Sequence, residues 1–122
     1  MHTAATEAFQ SALKTYAGVT GDPTYSEANG YMAIDAWVNG LKAAGQHPTQ
    51  ESLINTMLGM KFDGAGLYGG HLISFSLNDR GKTTGADNCL WFTRYSPSTF
   101  QLISGGDLIC GTLIAGKKVT SG

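Results

Sequence analysis

Charge is scarce in this chain, and what there is does not cluster. Charged residues make up 14% of 122 positions, with eight Lys and Arg, no more than two of them adjacent (Lys117-Lys118), against nine Asp and Glu for a formal net charge of -1. Neutralising a row of phosphates needs a basic stripe, so this composition argues against nucleic acid as a partner. Long apolar runs are missing too: none approaches the roughly 20 residues that cross a bilayer. The opening Met1-His2-Thr3 lacks the basic region and apolar stretch of a secretory signal, so either the protein is cytosolic or the chain begins after a processed or cloned boundary. Internal repeats and low-complexity segments are absent. Hydrophobic residues nevertheless reach 42%, enough for a packed core and too many for a disordered chain.

Reactive groups are equally sparse. The only cysteines are Cys89 and Cys110. They fit two buried small hydrophobes, or a disulfide formed in an oxidising compartment. A catalytic thiol is the weakest reading, because no His or basic residue lies beside either one. His2, His47 and His71 are not at ligand spacing from one another or from a Cys or carboxylate. No Gly-x-Ser-x-Gly elbow, His-Glu-x-x-His or phosphate-binding loop occurs. Asn78-Asp79-Arg80-Gly81 lacks the remaining ligands of a calcium loop and reads as a turn. The carboxylates Glu7, Glu27, Asp35 and Glu51 fall on helices as caps and solvated faces, whereas Asp63, Asp79, Asp87 and Asp107 border glycines or turns. The pattern therefore predicts no catalysis, no metal and no cofactor. An enzyme would have to assemble a site from residues such as Asp63, His71 and Cys89.

What is present is a helical half followed by a strand half, changing near residue 61. Phe9, Ala12, Leu13 and Tyr16 recur at helical spacing and predict a first helix over Thr3 to Ala17, stopped by Gly18 and Gly21-Asp22-Pro23. Thr24 and Glu27 form a capping-box signature that opens a second helix, which runs to Gly45. Its predicted apolar stripe is Tyr31, Ile34, Val38 and Leu41, widened by Trp37 and Ala33, with Tyr31, Trp37 and Leu41 taken as core. A third helix starts at Thr49 after Pro48, and the short Gln46-His47-Pro48 loop predicts a helical hairpin. Gly64, Gly66, Gly69 and Gly70 then suggest a flexible hinge or crossing segment. Strands are expected over 72–77, 88–95 and 99–103, with a turn at Ser96-Pro97-Ser98, and the tail 108–119 could hold a last strand.

The ordered series matters more than any one motif. "FQSALKTYAG", a Pro-containing loop, "YSEANGYMAIDAWVNGLKAAG" and "TQESLINTMLGMKFDGAGLYGGHLISFSLNDRGKTTGADNCLWFTRY" together resemble the C-terminal part of type I periplasmic binding proteins. These are the branched-chain-amino-acid-type substrate-binding components of ABC transporters. The resemblance runs over about residues 3 to 103, and the last twenty residues fall outside it. It implies an α/β fold, here three helices followed by an antiparallel hairpin, cut from a longer two-lobed clamp. Residues 1–61 would belong to one lobe, 62–71 would be the glycine-rich crossing, and 72–122 would belong to the other lobe. The chain would then be a fragment, a processed piece or one half of an assembly. Its partners would be the remaining part of the two-lobed protein or a complementary chain, a membrane permease, and an amino acid or small carboxylate ligand. Its location would be periplasmic or extracellular. In the family, residues just before the position of Tyr31 approach the cleft, which carries over to Tyr25 and Ser26, then Glu27 and Asn29. The same fold could instead serve a ligand sensor feeding a receptor or regulator. A chain with no ligand activity, persisting as an associated or domain-swapped fragment, is the remaining alternative.

Overall fold

A computed structural model of the chain describes residues 3–76, 89–112 and 114–115. The chain divides into two compact units, Met1–Ser76 and Leu77–Gly122.

The first unit is built on three helices. Helix α1, Ala4–Ala12, starts with Thr3, whose side chain accepts from the Thr6 backbone N–H (3.2 Å), while the Thr6 hydroxyl accepts from the Thr3 N–H (2.8 Å). It continues as a π-helical turn over Leu13–Ala17 and ends at Gly18, whose φ of 69° is cheap only for glycine. Phe9 is buried, with its ring centroid 4.9 Å from that of Tyr31. Tyr16, expected on the same face, is 89% exposed. The wider π turn advances each residue by a smaller angle, so the 3.6-residue periodicity loses phase before it reaches Tyr16.

Helices α2, Tyr25–Ala44, and α3, Gln50–Gly59, form the expected hairpin. Thr49 caps α3 by accepting from the Ser52 N–H (3.1 Å). Packing, however, corrects the predicted stripe. Ala36 and Gly40 are the buried positions of α2, while Ile34 is 62% and Trp37 49% exposed. The helices close where α2 is thinnest: a methyl built at Gly40 would lie 2.6 Å from Met57 Cγ and 3.2 Å from Leu53 Cδ1. One neighbouring helix covers one sector, and the small-residue ridge permits the closest approach. The bulkier side remains open.

After α3 come β1, Lys61–Phe62, and β2, Ile73–Ser74, paired antiparallel with Phe62 opposite Ile73. Phe62 is buried, with ring centroids 5.6 Å from Phe75 and 6.1 Å from Tyr68. The glycines between these strands serve a bonded turn, not slack chain. Gly64, Ala65 and Gly66 are successively left-handed, with φ of 66°, 56° and 78°. Leu67 N–H donates to the Gly64 carbonyl (3.0 Å) and Tyr68 N–H to that of Asp63 (3.2 Å). A Cβ at Gly64 would strike the Tyr68 ring at 2.7 Å, so both conformation and space require glycine there.

In the second unit the expected strand over 88–95 breaks at Trp91 and Phe92. Strand β3, Cys89–Leu90, pairs antiparallel with β6, Ile109–Cys110, whereas β4, Thr93–Ser96, pairs with β5, Thr99–Leu102. Two different partners account for the break. The Ser96-Pro97-Ser98 turn is present, and the Ser96 hydroxyl donates to the Thr99 carbonyl (3.0 Å). Cys89 and Cys110 are joined in a disulfide, so the disulfide reading holds and that of two buried thiols does not. The turn at 78–81, Leu77 and Asn88 of the expected strands, His2 and the end of the tail lie outside the described residues. Among the described residues no helix is long and apolar enough to cross a membrane.

Replacing Gly40 with Ala should be destabilising. Overpacking against Met57 and Leu53 costs about 1–3 kcal/mol, and the gain in helix propensity of about 1 kcal/mol offsets only part of it. Chemical denaturation checks this; a rise in stability would show that α3 does not sit where described.

Candidate functional site

The four residues that the resemblance singles out lie together at the start of α2, on its first turns. Tyr25 is its first helical residue and its side chain is 83% exposed; Ser26 and Asn29 are also exposed. The local sequence fixes this arrangement. Thr24 adopts extended backbone geometry and ends the preceding loop, and its side chain accepts from the Glu27 N–H (3.3 Å). In return, Glu27 Oε2 accepts from the Thr24 N–H (2.6 Å) and from the Thr24 hydroxyl (2.8 Å). The Thr24 carbonyl accepts from Ala28 (3.1 Å), the first full helical bond. The N–H groups of Tyr25 and Ser26 have no intrahelical acceptor, as the geometry of any α-helix dictates.

This end of α2 presents both signs of charge. Backbone N–H groups and the helix dipole favour an anionic group. Glu27 adds a carboxylate whose pKa is lowered, first by the Thr24 backbone N–H and then by the Thr24 hydroxyl. Of its two oxygens, only Oε2 is engaged by Thr24. The first turn of α2 thus offers N–H donors and a carboxylate oxygen that Thr24 does not engage, with the Tyr25 side chain exposed.

Other features of the unit do not converge on these residues. A depression of about 530 Å³ is lined by Gln10, Ser11 and Lys14 of the first helix and by Val19, Thr20, Gly21 and Asp22. It includes none of Tyr25, Ser26, Glu27 or Asn29. Its walls meet because the left-handed Gly18 folds the chain back on α1, an arrangement that the helical pattern alone did not signal. Among the described residues no three His, Cys, Asp or Glu side chains are grouped to hold a metal. Cys89 is bonded to Cys110, so the Asp63, His71 and Cys89 trio loses the free thiol that a nucleophilic mechanism needs.

The capping bonds make the stability of α2 depend on pH. Because the folded pKa of Glu27 is depressed, its contribution is present above the ordinary carboxylate range and is lost as pH falls through the lowered value. Helicity followed by circular dichroism should therefore fall between about pH 5 and pH 2. Glu27→Gln should flatten that part of the curve, and an unchanged acid profile in this variant would show that another group carries it.

Neither a curated protein nor a solved structure matches the chain. A family model described as periplasmic binding protein matches residues 1–101, most of the chain and every element up to β5. Three helices with short antiparallel strand pairs fit an α/β piece of that architecture, and the family supports a ligand-binding role. The chain belongs to the periplasmic binding protein family, of the branched-chain-amino-acid type.

Proposed function

We propose that this chain is the C-terminal part of the solute-binding component of an ABC transporter, taking up amino acids or related small carboxylates by hinge closure. The observation that carries the reading is the family match over residues 1–101. In this mechanism no covalent bond is made. Ligand contacts to both lobes lower the energy of the closed state relative to the open one, and the closed state presents itself to a membrane permease.

The start of α2 supports the ligand class. An amino acid is a zwitterion, and it needs an acceptor for its ammonium group close to donors for its carboxylate. Tyr25 and Ser26 supply backbone N–H donors at the positive end of the helix, and the free oxygen of Glu27 supplies the acceptor. The Tyr25 ring closes over the apolar body of the ligand, and Asn29, one turn along, adds a polar contact at the rim.

The open side of α2 supports a further partner, the remaining part of the two-lobed protein. Gly30, Ala33, Ile34, Trp37 and Leu41 follow one another at helical spacing without a charged residue among them, and all but Leu41 are exposed. A helix in a folded domain buries such a sector against another layer. The Cys89–Cys110 disulfide supports an oxidising location such as the periplasm.

Titration calorimetry of the protein, in whatever assembly it is isolated, should show binding to members of a panel of amino acids and aromatic carboxylates. Tyr25→Ala and Glu27→Gln should each weaken that binding roughly tenfold, about 1.4 kcal/mol. Flat titrations across the panel would overturn the proposal. Native mass spectrometry should find the chain joined to a second polypeptide, and a lone monomer with full ligand affinity would rule out the missing-layer reading.

A further inference from the structure

The second unit is held together in a way that the first is not. All three buried apolar residues described, Phe9, Ala36 and Phe62, belong to the first unit. Among the described residues of the second unit none is buried, and Leu90, Trp91, Phe92, Tyr95, Phe100, Leu102 and Ile109 are all exposed. Hydrophobic burial therefore does little to close the described part of this unit. Two strand pairs are described in it. The β4–β5 pair is local: Ser96 faces Thr99 across Pro97-Ser98, and the Tyr95 and Phe100 rings pack at 5.2 Å. The β3–β6 pair is not local. It joins residues separated by 21 positions through only two facing pairs, Cys89 with Cys110 and Leu90 with Ile109. Two facing pairs of an isolated ladder do not offset the entropy of closing a loop of that length. The bridge lies in this ladder, on the first of its facing pairs. Cys110 is exposed and Cys89 half-buried, so reagents reach the bond. Both cysteines of the chain are in this unit, and the first unit has none.

We infer that Cys89 and Cys110 are a redox-conditional closure, and that the second unit reaches its β3–β6 pairing only after a disulfide-donating oxidant has acted on them. The exchange balances without another reactant. One cysteine thiolate attacks the disulfide of the oxidant, forming a mixed disulfide and releasing one oxidant thiolate. The second cysteine thiolate then attacks the mixed disulfide, making Cys89–Cys110 and releasing the other oxidant thiolate. Two protein thiols are oxidised, one oxidant disulfide becomes a dithiol, and the two protons leave the cysteines for the oxidant or solvent. In a reducing compartment the loop from residue 90 to 109 stays open while the first unit folds. This inference is independent of the ligand reading, since no ligand enters it.

The test uses the full chain in two forms, one with the bridge intact and one reduced with dithiothreitol and alkylated, with Cys89→Ala/Cys110→Ala as a third that carries no bulky adduct. Trypsin cleavage after Arg94 in β4 reports on the second unit, and cleavage after Lys61 in β1 reports on the first. The loop-closure entropy of a bridge of this span corresponds to a population change on the order of a hundredfold. Cleavage after Arg94 should therefore speed up at least tenfold in both the reduced and the variant chain, with cleavage after Lys61 unchanged. Re-exposing the reduced, unalkylated chain to oxidised glutathione should restore the slow rate. Equal rates at Arg94 in all forms would overturn the inference. Faster cleavage at both sites would overturn it too, because the bridge would then support the whole chain and not one unit.

Discussion

Contact between α3 and the Ala36–Gly40 ridge of α2 determines what the helical unit can do. Met57 and Leu53 approach the bare backbone of Gly40 so closely that a single methyl group would not fit. That approach commits the narrow side of α2 to its own hairpin, and Tyr31 commits a neighbouring sector to Phe9 of α1. Ile34 and Trp37 are left facing outward. The same commitment leaves the first turn of α2 accessible, with Tyr25, Ser26, Glu27 and Asn29 around it. One helix thus carries both an open apolar flank and an open polar end.

The two units are stabilised by different physics. The first has a small apolar core, closed glycine turns and three capping boxes, so its order comes from burial and local hydrogen bonds. The second has amphipathic β-structure in which Thr93, Tyr95, Phe100 and Leu102 share one face and Arg94, Ser96, Thr99 and Gln101 the other, yet neither face is covered. Among its described residues a covalent bond stands where burial is lacking. Small units without a sufficient core depend on such bonds, and an oxidising compartment is where they persist.

Local signals were read well from the sequence. The Thr24–Glu27 capping box, the Thr49 start of α3, the Gly18 stop and the Ser96-Pro97-Ser98 turn each depend on residues within four positions of one another. Properties that depend on a neighbour were not. Periodicity marked Ile34 and Trp37 as inward because they are apolar at the right spacing, but which side is covered depends on where α3 can approach. The strand over 88–95 looked continuous, yet Cys89 and Thr93 answer to different partners. The glycine-dense stretch suggested slack because composition does not reveal that Gly64, Ala65 and Gly66 wind into one bonded left-handed turn.

Taken alone, the sequence determined the family, the helix boundaries and the positions at which α2 begins, since capping and family motifs are carried by short ordered runs of residues. The tertiary structure decided which face of α2 is buried, how the aromatic strand is divided, and that two cysteines 21 positions apart are bonded. The physical reason is range. Hydrogen-bond caps and turn geometry act between near neighbours in the chain, whereas burial and cross-strand bonding depend on surfaces that only folding brings together.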